Sequence, residues 1–143
     1  MVTQRELDDI FPTAFKTTID DHVNEAFKRG WYTEAIIILH ANMEFFMNLI
    51  FTIYTNVKLK KSTTELKLTS FRYITIAEIL FHLDLIDKRL FSDLKKFNIM
   101  RNKVAHEMFR FKLKEGKIKS NFEFGKNLDG KILDIFFEVY EIH

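Results

Sequence analysis

The chain has 143 residues, of which 47% are hydrophobic, and it contains one proline, four glycines and no cysteine. This length and apolar content fit a single domain over residues 1–143 and argue against wholesale disorder. The lack of cysteine excludes disulfides and thiol catalysis, and the scarcity of helix breakers favours an all-α fold.

Charge is distributed unevenly along the chain although the net charge is only +2. Between residues 51 and 131 there are 18 Lys and Arg against 9 Asp and Glu, whereas residues 1–50 are acidic overall. A basic middle section is a candidate footprint for a phosphate backbone, although lysine-rich segments are commonly no more than solvated loops. The candidate contacts to RNA phosphates are Lys58, Lys60, Lys61, Arg110 and Lys112.

The first two predicted helices occupy residues 6–28 and 34–55. Gly30 is expected to end the first, after basic residues that suit a helix C-terminus, and Thr33 is expected to cap the second. Residues 35–54 are long and apolar enough for a membrane-spanning helix, but burying the Glu44 carboxylate in lipid would be costly. We therefore expect a buried central helix, no membrane association and, since the start lacks a signal-peptide pattern, a cytoplasmic location.

The second half of the chain predicts a third helix over residues 71–85 and a fourth over 88–109, with Ser70 and Asp87 as N-caps. Strict alternation of apolar and basic residues after Phe109 predicts a short β-hairpin near residues 109–122. Apolar residues at helical spacing predict a last helix over residues 128–140. The expected architecture is an all-α bundle of four to five helices with one minor hairpin.

The fourth helix carries the most informative residues. Its core-facing stripe steps by four and three residues, and Arg101 lies within that stripe, where a guanidinium needs a partner or a wet cleft. Asn102 and His106, four residues apart, share the neighbouring face of the helix. Arg101 and His106 are separated by about 140° around the helix axis. The members of the stripe are Leu90, Leu94, Phe97, Arg101, Val104 and Met108.

These residue types suit RNA cleavage without a metal. Such cleavage needs a base for the 2′-hydroxyl proton and a cation for the charge that develops on the phosphorane. Histidine fits the first role and arginine the second, while asparagine can hold the phosphate or orient the ring. Glu44, on the polar stripe His40, Glu44, Asn48 of the second helix, is a candidate second-shell anion for Arg101. The alternative for that stripe is a solvated face or a helix–helix hydrogen bond.

The sequence Arg-Asn-Lys-Val-Ala-His at residues 101–106 resembles the Arg-polar-x3-His signature of HEPN domains (higher eukaryote and prokaryote nucleotide-binding). Residues 30–35, which open a helix reaching Glu44, and residues 75–80 are also similar to that family. The resemblance covers about residues 30–110, and the signature is its most specific part.

The resemblance implies a dimeric helical bundle in which two signature helices form a composite cleft. It also implies a metal-independent endoribonuclease, with no cofactor, that acts as a toxin or in antiviral defence and is held by a protein antitoxin. By resemblance, Arg101, Asn102 and His106 are the catalytic set. The alternative is a non-catalytic HEPN module that binds RNA, a nucleotide or a protein. Met108 stands where one toxin subgroup has a tyrosine modified by a partner nucleotidyltransferase, so that regulation is not expected.

Overall fold

The computed structural model describes residues 13–58, 70–107 and 115–141, and these residues form five α-helices joined by turns and loops. No strand occurs within these ranges, so the all-α prediction is confirmed. Residues 6–12 of the first predicted helix lie outside the described residues. In chain order the helices are α1 Thr13–Lys28, α2 Tyr32–Lys58, α3 Tyr73–His82, α4 Lys88–Glu107 and α5 Glu115–Glu141.

Helix α2 lies at the centre of the bundle and packs against each of the other four helices. By length and composition it is apolar enough to cross a membrane, and most of it is buried inside the fold. Met43, Met47 and Ile50 are fully buried on it, together with Leu39 and Phe46. Its neighbours surround most of its circumference, so apolar residues occur on nearly all sides of the helix.

Two predicted helix boundaries are confirmed by their hydrogen bonds. At the end of α1, Gly30 has a φ of 78°, and the Trp31 amide donates to the Ala26 carbonyl at 2.8 Å. This is a Schellman ending, which needs a left-handed residue at that position. At the start of α4, the Leu90 amide donates to Asp87 Oδ1 at 2.7 Å, as expected for an N-cap.

The hairpin predicted near residues 109–122 is wrong over residues 115–122, because α5 begins at Glu115. Residues 109–114 lie outside the described residues. Helix α5 therefore starts well before the predicted residue 128. Its buried stripe includes Asn121, Gly125 and Asp129, which an apolar pattern does not reveal.

The contact between α2 and α5 is close and mostly apolar. A β-carbon added at Gly125 would clash with the Phe97 ring and would lie 2.8 Å from the Leu39 side chain. A buried hydrogen bond crosses this interface: the Asn42 amide donates to Asp129 Oδ1 at 2.9 Å. Glycine at residue 125 thus lets α2, α4 and α5 approach one another, and this approach fixes the inner side of α4.

Candidate functional site

A cleft of about 650 Å³ opens between the middle of α2, the N-terminus of α3 and the C-terminal half of α4. This volume is within the range of pockets that hold small organic ligands. Polar and charged side chains contribute much of its wall, principally His40, Glu44, Arg72, Tyr73, Asn98 and Arg101.

The N-terminus of α3 is held by side chains of α2. Tyr73 donates its amide to Glu44 Oε2 at 3.0 Å, and Phe71 donates its amide to Asn48 Oδ1 at 2.8 Å. Asn48 also donates to the Phe71 carbonyl at 2.9 Å. The N-cap position is Arg72 rather than the predicted Ser70, and it makes no side-chain capping bond. Capping from a neighbouring helix replaces local capping, and a local sequence pattern does not reveal it.

His40 is buried between α3 and α4, with 8% of its surface exposed. Its ring stacks on Tyr73 with centroids 4.0 Å apart, and its Nε2 donates to Asn98 Oδ1 at 2.8 Å. Burial lowers the pKa of His40 below its usual value, and the Arg101 charge adds to the lowering, while the bond to Asn98 opposes it. His40 is therefore a neutral hydrogen-bonding group near pH 7.

Arg101 is half-buried, and one of its terminal nitrogens donates to Asn102 Oδ1 at 3.1 Å. Its Nε is buried, with no hydrogen-bond partner among the described residues. Within the described part of the chain, no carboxylate lies within 4.0 Å of it, so Glu44 makes no direct ion pair with Arg101. Glu44 lines the same cleft but bonds to the start of α3. The Arg101 charge is therefore available to an anion in the cleft.

The three predicted catalytic residues lie on two sides of α4. Arg101 and Asn102 line the cleft, whereas His106 is exposed and is not part of its wall. The outer face of α4, defined by Ile99, Asn102 and His106, is exposed along its length at spacings of three and four residues. Ile99 is 66% exposed there, the largest exposed fraction among the large hydrophobic side chains of the described residues. Asn102 is thus the one residue of the three that belongs to both sides.

Most of the candidate RNA-backbone residues lie outside the described residues. These are Lys60, Lys61, Arg110 and Lys112. The fifth candidate, Lys58, is the last residue of α2. Arg72, from the same basic region, is exposed and lines the cleft.

Sequence reasoning missed the parts of the site that depend on long-range packing. Asn98 lies three residues before Arg101, and helical periodicity places it on the same side of α4, so it could have been found. The position of Tyr73 depends on how α3 packs against α2, and no local sequence pattern reports that packing. The sequence places His40 on the polar stripe of the second helix, but its neighbours on α3 and α4 cannot be predicted from a local pattern.

Comparison with protein-family models, with curated proteins and with solved structures finds no match for this chain. Among the described residues, no group of three or more His, Asp or Glu side chains is placed to hold a metal ion. The candidate function therefore depends on the site itself.

Proposed function

We propose that this protein is a metal-independent endoribonuclease that acts as a homodimer, in the role of a toxin or antiviral-defence effector. The observation that carries the proposal is the state of Arg101, a permanent charge at a cleft with no carboxylate partner among the described residues. An unpaired guanidinium is a binding group for phosphate. Exposed Asn102 and His106 follow on the same helix within a turn and a half.

In the proposed reaction, the ribose 2′-oxygen attacks the adjacent phosphorus and the 5′-oxygen of the next nucleotide leaves. His106 takes the proton from the 2′-hydroxyl or supplies one to the leaving oxygen. Arg101 stabilises the additional negative charge on the phosphorane, and Asn102 positions a phosphate oxygen. The products are a 2′,3′-cyclic phosphate and a 5′-hydroxyl.

A dimer through the outer face of α4 would bring two copies of Asn102 and His106 together. Ile99 lies three residues before Asn102 and seven before His106, so all three project from one side of the helix. In an isologous contact this side faces its own copy. Dimerisation is tested by sedimentation: the wild type should be a dimer at micromolar concentration, and Ile99→Asp should be a monomer. A wild-type protein that remains strictly monomeric would contradict the dimer.

The ribonuclease proposal is tested by incubating purified protein with single-stranded RNA in excess chelator. Cleavage should proceed and leave 2′,3′-cyclic phosphate ends, because the proposed steps use only protein side chains. His106→Ala should lower the rate about a hundredfold or more, as expected for loss of a general acid–base group. His82→Ala is the matched control, since His82 is an exposed histidine on α3 outside the cleft wall.

A second candidate function is a binding module without catalysis. It is favoured by one observation, that the cleft wall includes Arg101 and Asn102 but not His106. Such a module would retain RNA, a nucleotide or a protein partner without cutting. Affinity that depends on Arg101, with no cleavage of varied RNAs by the intact protein, would identify it.

A further inference from the structure

Three polar side chains of α4 line the cleft together: Asn98, Arg101 and Asn102. Residues at spacings of three and four lie on one side of a helix. Each of the two asparagines has its side-chain oxygen engaged. His40 Nε2 donates to Asn98 Oδ1 at 2.8 Å, and a terminal nitrogen of Arg101 donates to Asn102 Oδ1 at 3.1 Å. With the oxygen engaged, the amide nitrogen is the group that each asparagine offers to the cleft.

These amide nitrogens are free to donate. Neither Asn98 Nδ2 nor Asn102 Nδ2 donates a hydrogen bond to any described residue. Asn98 is half-buried, and its nitrogen is not among the buried unpartnered atoms of the described chain, so solvent reaches it. The Arg101 guanidinium also only donates. Glu44, the carboxylate of the cleft wall, lies on α2 and accepts from the Tyr73 amide. The α4 side of the cleft therefore suits a ligand whose oxygens only accept, such as an RNA phosphate.

His40 holds the Asn98 amide in its orientation. The ring of His40 is 8% exposed and stacks on Tyr73 with centroids 4.0 Å apart, so packing fixes the direction of its hydrogen bond. The oxygen and nitrogen of an amide lie on opposite sides of its carbon, so Asn98 Nδ2 points away from the His40 ring. A donor that is fixed before the reaction needs no reorganisation in the transition state.

We propose that Asn98 is a further catalytic residue of the proposed ribonuclease and that His40 is its positioning residue. Asn98 Nδ2 donates to a non-bridging oxygen of the scissile phosphate, and the bond strengthens as charge develops on the phosphorane. Asn98 and Asn102 are one turn apart, about 5–6 Å between β-carbons, so one phosphate can contact both. The inference rests on the proposed function for the reaction, whereas contact between Asn98 and a phosphate requires no cleavage.

The first test is single-turnover cleavage of labelled single-stranded RNA by the full chain in chelator. Asn98→Asp keeps an oxygen for His40 but removes the N–H donors, and Asn98→Ala removes them without adding a charge. Both should lower the rate about tenfold or more, as expected for loss of a hydrogen bond to a charged group. Asn127→Asp is the matched control, an exposed asparagine of α5 outside the cleft wall, and should cut like the wild type.

A phosphorothioate at the scissile position gives a readout that a merely structural role would not move. Sulfur is a weak hydrogen-bond acceptor, so the wild type should cut one diastereomer more slowly than the unmodified RNA. That slowing should largely disappear in Asn98→Ala, which has no bond to lose there, and should persist in Asn127→Asp. An undiminished slowing in Asn98→Ala would overturn the contact.

Substitutions of His40 test the positioning role. Glutamine keeps an N–H donor for Asn98 and alanine does not, so His40→Gln should recover part of the rate that His40→Ala loses. In an Asn98→Ala background, His40→Ala should slow cleavage little further, because its effect passes through Asn98. Urea unfolding checks that each variant is folded under assay conditions. Equal and additive losses in folded His40 variants would contradict the positioning role.

RNA with 2′-O-methyl riboses cannot be cut, and it separates this inference from the proposed function. The wild type should bind it, and Asn98→Asp should bind about fivefold or more weakly than Asn127→Asp. Such binding without cleavage of ordinary RNA would contradict the ribonuclease and its catalytic residue but confirm the phosphate contact. Cleavage and affinity that are the same in the wild type and in folded Asn98→Ala would overturn the inference and leave the ribonuclease standing. A wild type that neither binds nor cuts would contradict both.

Discussion

Helix α2 contacts its neighbours in two different ways. Toward α5 its contact is close and mostly apolar: Gly125 of α5 lies against Leu39, and the Asn42 amide donates a buried hydrogen bond to Asp129. Toward α3 and α4 it presents His40, Glu44 and Asn48, and the space between them remains open as the cleft. On the α5 side there is no room for a β-carbon at Gly125, whereas the other side has the open cleft and two buried polar atoms without a partner among the described residues. Close packing against α5 therefore holds α2 in position, and this leaves its opposite side open as the cleft.

The largest expected effect on stability is at the close contact between α2 and α5. Gly125→Ala should lower the free energy of unfolding by about 1–3 kcal/mol, because the added methyl overlaps the buried Phe97 ring and the Leu39 side chain. Gly130→Ala is the matched control on the same helix, since a β-carbon there meets nothing within 4 Å. It should stabilise the protein by about 0.5–1 kcal/mol through helix propensity. Urea unfolding of the two variants measures both, and equal signs would contradict the packing account.

A smaller effect is expected on the polar side, where Glu44 caps α3. Glu44→Ala should cost about 0.5–2 kcal/mol, the usual range for loss of a helix cap. Glu44→Gln should cost less, because its amide oxygen can still accept from the Tyr73 amide. Urea unfolding again measures the difference. If both variants lost the same stability, the carboxylate charge rather than the cap would be the stabilising feature.

The smallest expected effect concerns pH and His40. Because burial lowers its pKa in the folded state, the unfolded chain binds a proton more readily below about pH 6.5. The stability contribution from neutral His40 is therefore complete above that pH and is lost as the pH falls below it. Unfolding free energies at pH 7.5 and 5.5 should differ less in His40→Gln than in the wild type. The control is His106→Ala, an exposed histidine, and an unchanged difference in His40→Gln would contradict this role.

The helix boundaries were more predictable from the sequence than the contacts of the cleft. Gly30 and Asp87 act within a few residues of their own positions, so their local patterns were sufficient to predict an ending and a start. The early part of α5 was not predictable from hydropathy, because Asn121, Gly125 and Asp129 occupy its buried stripe.

The site depends on contacts that are distant in sequence. Glu44 was expected beside Arg101 because a charge on an apolar stripe needs an anion. In the structure, Glu44 Oε2 accepts a hydrogen bond from the Tyr73 amide, 29 residues away. The N-terminal amides of α3 are capped by side chains of α2. No sequence pattern within the third helix indicates this capping. The roles of Arg101, Asn102 and His106 remain predictions.

The most direct test of the account is single-turnover cleavage of labelled RNA in chelator, with protein in excess at saturating concentration. The wild type should cut, His106→Ala should be slower by about a hundredfold or more with RNA affinity retained, and Arg72→Ala should bind more weakly yet cut at nearly the wild-type saturated rate. That split would separate a cutting residue on the outer face of α4 from a binding residue in the cleft. Equal saturated rates for wild type and His106→Ala, or no cleavage by the wild type, would contradict the account.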